Sequence, residues 1–226
     1  KMNFAGFTLT MPHKIEIMKF LDGIDPLAEK IGSVNTVKII DGQLIGYNTD
    51  GEGFVTSLEV EKNIKCDENT FIIIGAGGAS RAITTTIALR NAKRIYIANR
   101  TLEKAANLSN IIKEKTGYKD CIPLSLEKDN LKEYVDSSNV LINTTNVGMH
   151  PYEDISPIDI SFLRKELTVA DVIYSPKRTV LLKAALEKGC DVINGEGMLL
   201  YQGYIAFEIW TGLKAPKMTM KESLID

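Results

Sequence analysis

Between residues 70 and 194 short apolar runs alternate with longer stretches in which apolar residues recur every three or four positions. The runs at 70–75, 94–98, 120–124, 138–143, 168–173 and 190–194 have the length of strands. Phe71-Ile72-Ile73-Ile74 and Val169-Ala170-Asp171-Val172-Ile173 are apolar almost without alternation, the pattern of strands covered on both faces. The intervening stretches 79–90, 102–115 and 179–188 each carry one apolar stripe and predict amphipathic helices. Strand–helix alternation of this kind predicts an α/β fold with a parallel, doubly wound sheet.

The flanking regions read differently. Gly6-Phe7-Thr8-Leu9-Thr10 is strand-like. Apolar Ile17, Met18 and Leu21 predict a helix over 14–21, and Asp25-Pro26 opens a second short helix running to Ile31. Asp41-Gly42 sits between apolar stretches at 34–40 and 43–47, which predicts a hairpin with a type I′ turn. A helix over 52–59 follows, and the chain after Asn194-Gly195 reads as helical over 198–211 and 217–225. The organisation expected is therefore a nucleotide-binding unit at 66–195 and a partial second α/β unit at 1–50. A helical connector at 51–65 joins them, and the C-terminal helices at 198–226 return to the second unit.

The junction of the first long strand with its helix carries chemistry. Phe71-Ile72-Ile73-Ile74 runs into Gly75-Ala76-Gly77-Gly78-Ala79-Ser80. Gly75 permits a tight turn, and Gly77 removes a side chain where a pyrophosphate would approach the backbone. The helix start supplies free N–H groups and a positive dipole end. Ser80 stands where such motifs usually have Gly or Ala, and small residues also occur at ordinary strand-to-helix turns. The end of the next strand decides the cofactor. An NAD site places Asp or Glu there for the ribose hydroxyls; this chain has Asn99-Arg100-Thr101, with Lys104 one turn on. A carboxylate repels a 2′-phosphate, whereas a guanidinium and a hydroxyl bind it, so the site reads as one for NADP.

Composition narrows the remaining choices. A chain of 226 residues with 44% hydrophobic and 25% charged residues can bury a substantial core without metal or disulfide staples. A net charge of −2 gives no electrostatic case for nucleic acid or an anionic membrane, and no apolar run has the length of a membrane span. Cys66, Cys121 and Cys190 are odd in number and widely spaced, as reduced thiols of a cytoplasmic protein are. With only His13 and His150 beside them, no metal site is expected.

Three polar groups in the first fifty residues remain: Thr10-Met11-Pro12-His13-Lys14, Asn35-Thr36 and Asn48-Thr49-Asp50. Lys14 opens a helix, where its charge opposes the dipole. A Lys beside a carboxylate can shuttle the proton of an alcohol–ketone interconversion. From the residues alone, Lys14 reads equally as a solvated side chain, Asp50 as a helix N-cap and Asn35 as a turn residue.

A resemblance separates these readings. Thr8-Leu9-Thr10-Met11-Pro12-His13-Lys14, Gly32-Ser33-Val34-Asn35-Thr36, Gly46-Tyr47-Asn48-Thr49-Asp50-Gly51, the glycine turn, Asn99-Arg100-Thr101, Asn143-Thr144-Thr145-Asn146-Val147-Gly148-Met149, Asp171-Val172-Ile173-Tyr174-Ser175-Pro176 and Gly195-Glu196-Gly197-Met198-Leu199-Leu200-Tyr201-Gln202 occur in order and resemble the shikimate dehydrogenase family. The resemblance implies a Rossmann-type NADP domain and an incomplete α/β substrate domain, with a catalytic pair, Lys14 and Asp50, in the cleft between them. It implies that Thr10, Asn35, Tyr174 and Gln202 bind substrate, and that Gly75, Gly77, Gly78, Ala79 and Ser80 hold the pyrophosphate. It further implies that Asn99, Arg100, Thr101 and Lys104 read the 2′-phosphate, that Thr144 and Gly148 line the cofactor cleft, and that Gly195 and Met198 face the nicotinamide. The expected reaction is reversible reduction of 3-dehydroshikimate, Lys14 giving the proton and Asp50 holding Lys14. Thr8 replaces the family's usual Asn. The family's opening strand and its Ser-x-Ser pair have no counterpart, so the chain is expected to be part of a longer enzyme. Two other functions fit: a quinate or aminoshikimate dehydrogenase, and a non-catalytic NADP sensor.

Overall fold

The computed structural model describes residues 4–10, 12–127 and 131–223. The first part comprises β1 (Gly6–Thr8), α1 (His13–Glu16), β2 (Gly23–Ile24), α2 (Pro26–Ile31), β3 (Thr36–Ile40), β4 (Gln43–Tyr47) and α3 (Asp50–Lys62). Its four strands form a small sheet in the order β1-β3-β4-β2. β3 and β4 pair antiparallel across Asp41 and Gly42, whose φ angles of 50° and 83° are those of the expected type I′ turn. α2 starts where the sequence places it. The Asp25 carboxylate accepts from the Leu27 and Ala28 amides, Pro26 occupies the first helical position, and Gly32 closes the helix in the left-handed region.

Three boundaries differ from expectation here. The strand over 6–10 stops at Thr8. The helix over 14–21 is a single α-turn from His13 that tightens into a 3-10 turn at Ile17–Phe20. Its apolar side chains Ile17, Met18 and Leu21 pack onto a small cluster of Ala28, Val34 and Val37. The helix over 52–59 is longer, Asp50–Lys62, because Asn63 (φ 53°) is what ends it.

The second part contains β5 (Thr70–Ile74), α4 (Gly78–Leu89), β6 (Arg94–Asn99), α5 (Leu102–Thr116), β7 (Cys121–Ser125), α6 (Leu131–Asp136), β8 (Val140–Asn143), β9 (Thr168–Asp171), α7 (Val180–Glu187) and β10 (Asp191–Ile193). All six strands are parallel, in the order β10-β9-β8-β5-β6-β7. The chain thus winds outward from β5 in one direction, then returns to build outward in the other. The reversal falls between β5 and β8, where doubly wound sheets bind ligands beyond the strand ends. Each face carries its own core. Phe71, Ile73, Ile95 and Ile97 pack with residues of α3, α4 and α5, while Ile72, Ile74, Leu141 and Val169 pack with residues of α6 and α7.

The chain ends with α8 (Gly195–Thr211) and α9 (Lys217–Glu222); residues 224–226, the first two of which fall in the helix expected over 217–225, lie outside the described residues, as does Met11. α8 lies against α3 at closest range where neither helix has bulk. A side chain at Gly53 would run into the backbone of Gln202, and one at Gly197 into Ser57 and Glu61. At its far end the Trp210 indole donates to the Val37 carbonyl of β3 at 2.9 Å and covers Gly6 of β1. α8 therefore starts at the large sheet and finishes on the small one.

Candidate active site

The small sheet delivers its polar residues to one point. Lys14, in the first turn of α1, reaches Asp50, the first residue of α3, at 2.7 Å from Nζ to Oδ2. The Lys14 side chain is 22% exposed and that of Asp50 only 6%, so the ammonium is the more accessible half of the pair. Its other N–H groups have no partner among the described residues.

Asp50 does not cap α3, as one reading of the sequence has it. Thr49 holds the cap position, and the carboxylate is turned toward Lys14 and Asn35 instead. Asn35, just before β3, organises the surroundings. Its Nδ2 donates to Asp50 Oδ1 at 2.9 Å, Thr49 Oγ1 at 3.0 Å and Gln202 Oε1 at 3.1 Å, and its Oδ1 accepts from the Thr49 amide at 2.9 Å. Asn48 staples the turn after β4 to the segment before β3. It donates to the carbonyl and the hydroxyl of Ser33, both at 3.0 Å, and accepts from the Asp50 amide at 3.1 Å. The Val34 amide donates to the Lys14 carbonyl, which ties α1 to the same segment. The result is a preset acid–ammonium pair whose orientation is fixed from three sides. Thr10 is exposed and has no side-chain hydrogen bond among the described residues; Tyr174, half exposed, lies in the loop after β9.

The second feature lies at the switch point. Gly75 adopts φ 112°, which L side chains avoid, and a Cβ there would collide with Thr144. The Ser80 hydroxyl donates to the Gly75 carbonyl at 2.8 Å, and the Thr144 hydroxyl to the Ile74 carbonyl at 2.6 Å. Both side chains are thus committed to shaping the turn. Gly77 and Gly78 at the start of α4 face open space. Both border a cavity of about 540 Å³, and Gly77 also borders an adjoining one of about 530 Å³. The first is lined by Gly75 to Ala79, Thr144, Val172 and Tyr174, the second by Asn99, Arg100, Thr101, Lys104 and, from the loop after β7, Glu127. Asn99 caps its own loop, donating to the Thr101 carbonyl at 2.9 Å.

Four expected cofactor residues lie off these cavities: Ser80, whose hydroxyl is spent on the Gly75 carbonyl, and three more. Gly195 is buried with no room for a side chain against the Val172 carbonyl, and Met198 packs on the core of the large sheet. Gly148 (φ 112°) backs onto Thr179. Sequence reasoning placed Asn48, Asn143 and Asp171 in motifs but gave them no role. The signal for Asp171 was a lone carboxylate inside an apolar run. It is fully buried, and burial pushes its carboxyl up to about 6 despite three donors. Among the described residues no cluster of His, Cys, Asp or Glu could hold a metal, and no helix is long and apolar enough to cross a membrane. Cys66, Cys121 and Cys190 are free and buried.

Comparison with known proteins gives three matching family models: the shikimate dehydrogenase substrate binding domain over residues 1–37, shikimate / quinate 5-dehydrogenase over 58–153, and the shikimate 5′-dehydrogenase C-terminal domain over 195–225. The chain is 46% identical to a shikimate dehydrogenase (NADP(+)) of Methanococcus maripaludis over 230 residues, covering 99% of this chain and 78% of the relative. A crystal structure of a shikimate dehydrogenase in complex with NADP+ superimposes with a TM-score of 0.89 at 45% identity, covering 99% of this chain and 76% of that one. A shikimate 5-dehydrogenase from Listeria monocytogenes, in complex with shikimate and NAD, gives 0.91 at 40% identity, covering 99% and 78%.

Proposed function

The chain belongs to the shikimate dehydrogenase family, and we propose that within it Lys14 and Asp50 carry the proton transfer. The enzyme is an NADP-dependent oxidoreductase that interconverts shikimate and 3-dehydroshikimate, which sets aside the sensor reading. The observation that carries the assignment of the pair is their 2.7 Å contact, with the ammonium on the open side.

When bound, NADPH supplies the hydride that the ketone carbon accepts, and NADP+ takes it back in the other direction. Lys14 protonates the oxygen on that carbon as it becomes an alkoxide and retrieves the proton when shikimate is oxidised. Asp50 keeps the ammonium aimed and receives a substrate hydroxyl. Asn35 and Gln202 extend this polar floor to the neighbouring hydroxyls or carboxylate, with Thr10 and Tyr174 at its rim. The cofactor fits the residues present: the open space beside Gly77 and Gly78, the α4 N-terminus, and a cationic end formed by Arg100 and Lys104 with Thr101. In this reading residues 66–195 form the cofactor unit and residues 1–50 with α8 and α9 the substrate unit. The buried thiols suit a reducing cytoplasm.

The test is a steady-state assay of shikimate oxidation with NADP+ and with NAD+, followed by absorbance of the reduced cofactor. The expected result is turnover with a preference for NADP+ of about tenfold or more in kcat/KM. Turnover of quinate in place of shikimate, or of neither, would overturn the proposal.

A further inference from the structure

The carboxylate of Asp171, at the end of β9, joins three separate pieces of backbone. Its Oδ1 accepts from the Ile173 amide at 3.0 Å and from Asn143 Nδ2 at 3.1 Å, and its Oδ2 accepts from Thr179 Oγ1 at 2.9 Å. Asn143 is its direct neighbour at the end of β8 and passes the connection on. Asn143 Oδ1 accepts from the Thr145 amide at 3.0 Å and hydroxyl at 2.7 Å, and its Nδ2 also donates to the Val147 carbonyl at 3.0 Å. Thr179 in turn caps α7 through the Leu182 amide and packs against Gly148. The loops held in this way supply Thr144, Thr145, Asn146, Val172 and Tyr174 to the larger cavity.

We infer that Asp171 is a positioning residue for the hydride-transfer half of the site. Bridged to Asn143 and Thr179, it fixes the loops after β8 and β9 so that the nicotinamide end of the dinucleotide and Tyr174 meet in one geometry. This rests on the reading of the cavity as an NADP site. The loop after β8 also gives Thr145, Asn146 and Val147 to the second cavity, but the bridge makes no hydrogen bond to Arg100, Thr101 or Lys104, so the hold on the 2′-phosphate is read apart from the bridge. A buried carboxylate is costly to keep in a strand. Three donors converge on it: Asn143 and the Ile173 amide belong to the loops that line the cavity, and Thr179 anchors them to the start of α7. An apolar residue would serve the core better and hold none of them.

Asp171→Asn keeps the α7 cap but puts an amide N–H₂ where Asn143 or Thr179 donates. Thr179→Val removes the hydroxyl at constant size, and Thr179→Ser restores it. Affinity for adenosine 2′,5′-bisphosphate reads the adenosine end alone, the fluorescence change of NADPH on binding reads the nicotinamide end, and kcat for shikimate oxidation reads alignment. Asp171→Asn and Thr179→Val are expected to keep the bisphosphate affinity within about twofold, abolish the fluorescence change and lower kcat about tenfold or more. Thr179→Ser should behave as the parent. If Asp171→Asn does not fold, Thr179→Val alone decides. Unchanged fluorescence and kcat in the variants would overturn the inference, and so would a proportional loss of bisphosphate affinity. A parent enzyme that fails to oxidise shikimate yet shows the fluorescence pattern would sink the assigned reaction and leave the bridge standing.

Discussion

Replacing Lys14 by Met separates catalysis from stability, because the structure gives each a different size. The ammonium is the only described partner of Asp50 Oδ2, while Oδ1 keeps Asn35 at 2.9 Å. Breaking a fully buried ion pair costs about 3–5 kcal/mol. Here the lysine is 22% exposed, water reaches the vacated position, and Asp50 sits at the favourable end of α3. The expected loss of stability is therefore smaller, about 1–2 kcal/mol, or a fall in Tm of roughly 3–6 °C for a chain of this size. Turnover has no such cushion. Loss of a positioned proton donor removes about 10²- to 10⁴-fold from kcat, equivalent to about 3–5 kcal/mol of barrier. NADP affinity should not change, since Lys14 lines neither cavity at the switch point. The measurements are thermal melting, NADP titration and kcat on one preparation. The double variant Lys14→Met/Asp50→Asn removes the stranded charge and should regain part of the stability with no recovery of turnover. A single variant that retains kcat within about tenfold, or that loses NADP affinity in step with kcat, would refute the assigned role.

Three further outcomes are expected. Arg100→Ala should raise the KM for NADP+ by about ten- to a hundredfold while leaving that for NAD+ nearly unchanged, measured by varying each cofactor at saturating shikimate. Thr85→Val should stabilise by about 1 kcal/mol in chemical denaturation, because the buried Thr85 hydroxyl, like that of Thr84, has no hydrogen-bond partner. The raised carboxyl of Asp171 gives a pH signature with a definite sign: the folded state holds its proton up to about 6, the unfolded state only to about 3.8. Its contribution is thus fully present below pH 4 and is lost as pH rises to about 6, so parent stability relative to Asp171→Asn should fall by roughly 3 kcal/mol across that window. A pH-independent difference between the two would refute this.

The inner strands β5, β6, β8 and β9 were legible because they are buried on both faces and write that burial as a nearly unbroken apolar run, whereas the edge strands β7 and β10 are partly exposed. The Asp41-Gly42 turn and the Asp25-Pro26 helix start were legible because their backbone geometry admits few residues. What local pattern does not encode is which strand lies beside which. That β8 sits next to β5, and not beyond β7, follows from right-handed crossovers closing over both faces. The Lys14–Asp50 pair was visible as residue types, but Asn35 and Gln202 stand 167 residues apart, and only the return of α8 brings them to 3.1 Å. Asp50 illustrates a competition the sequence leaves open: an acid at a helix start can cap the helix or serve a cation, and the position of Lys14 decides it. Gly195 and Met198 were expected at the nicotinamide; Gly195 sits tight against the Val172 carbonyl, and Met198, partly buried, packs against the core of the large sheet.

The run of α8 from one sheet to the other has an architectural price. The small sheet's roof, Trp210 over Gly6 and Val37, comes from the opposite extremity of the polypeptide, threaded through the whole nucleotide-binding portion first. The amino-terminal lobe is consequently not a module that can be cut out and expressed by itself, and a stop codon shortly after residue 194 would unroof it while sparing all six strands of its neighbour.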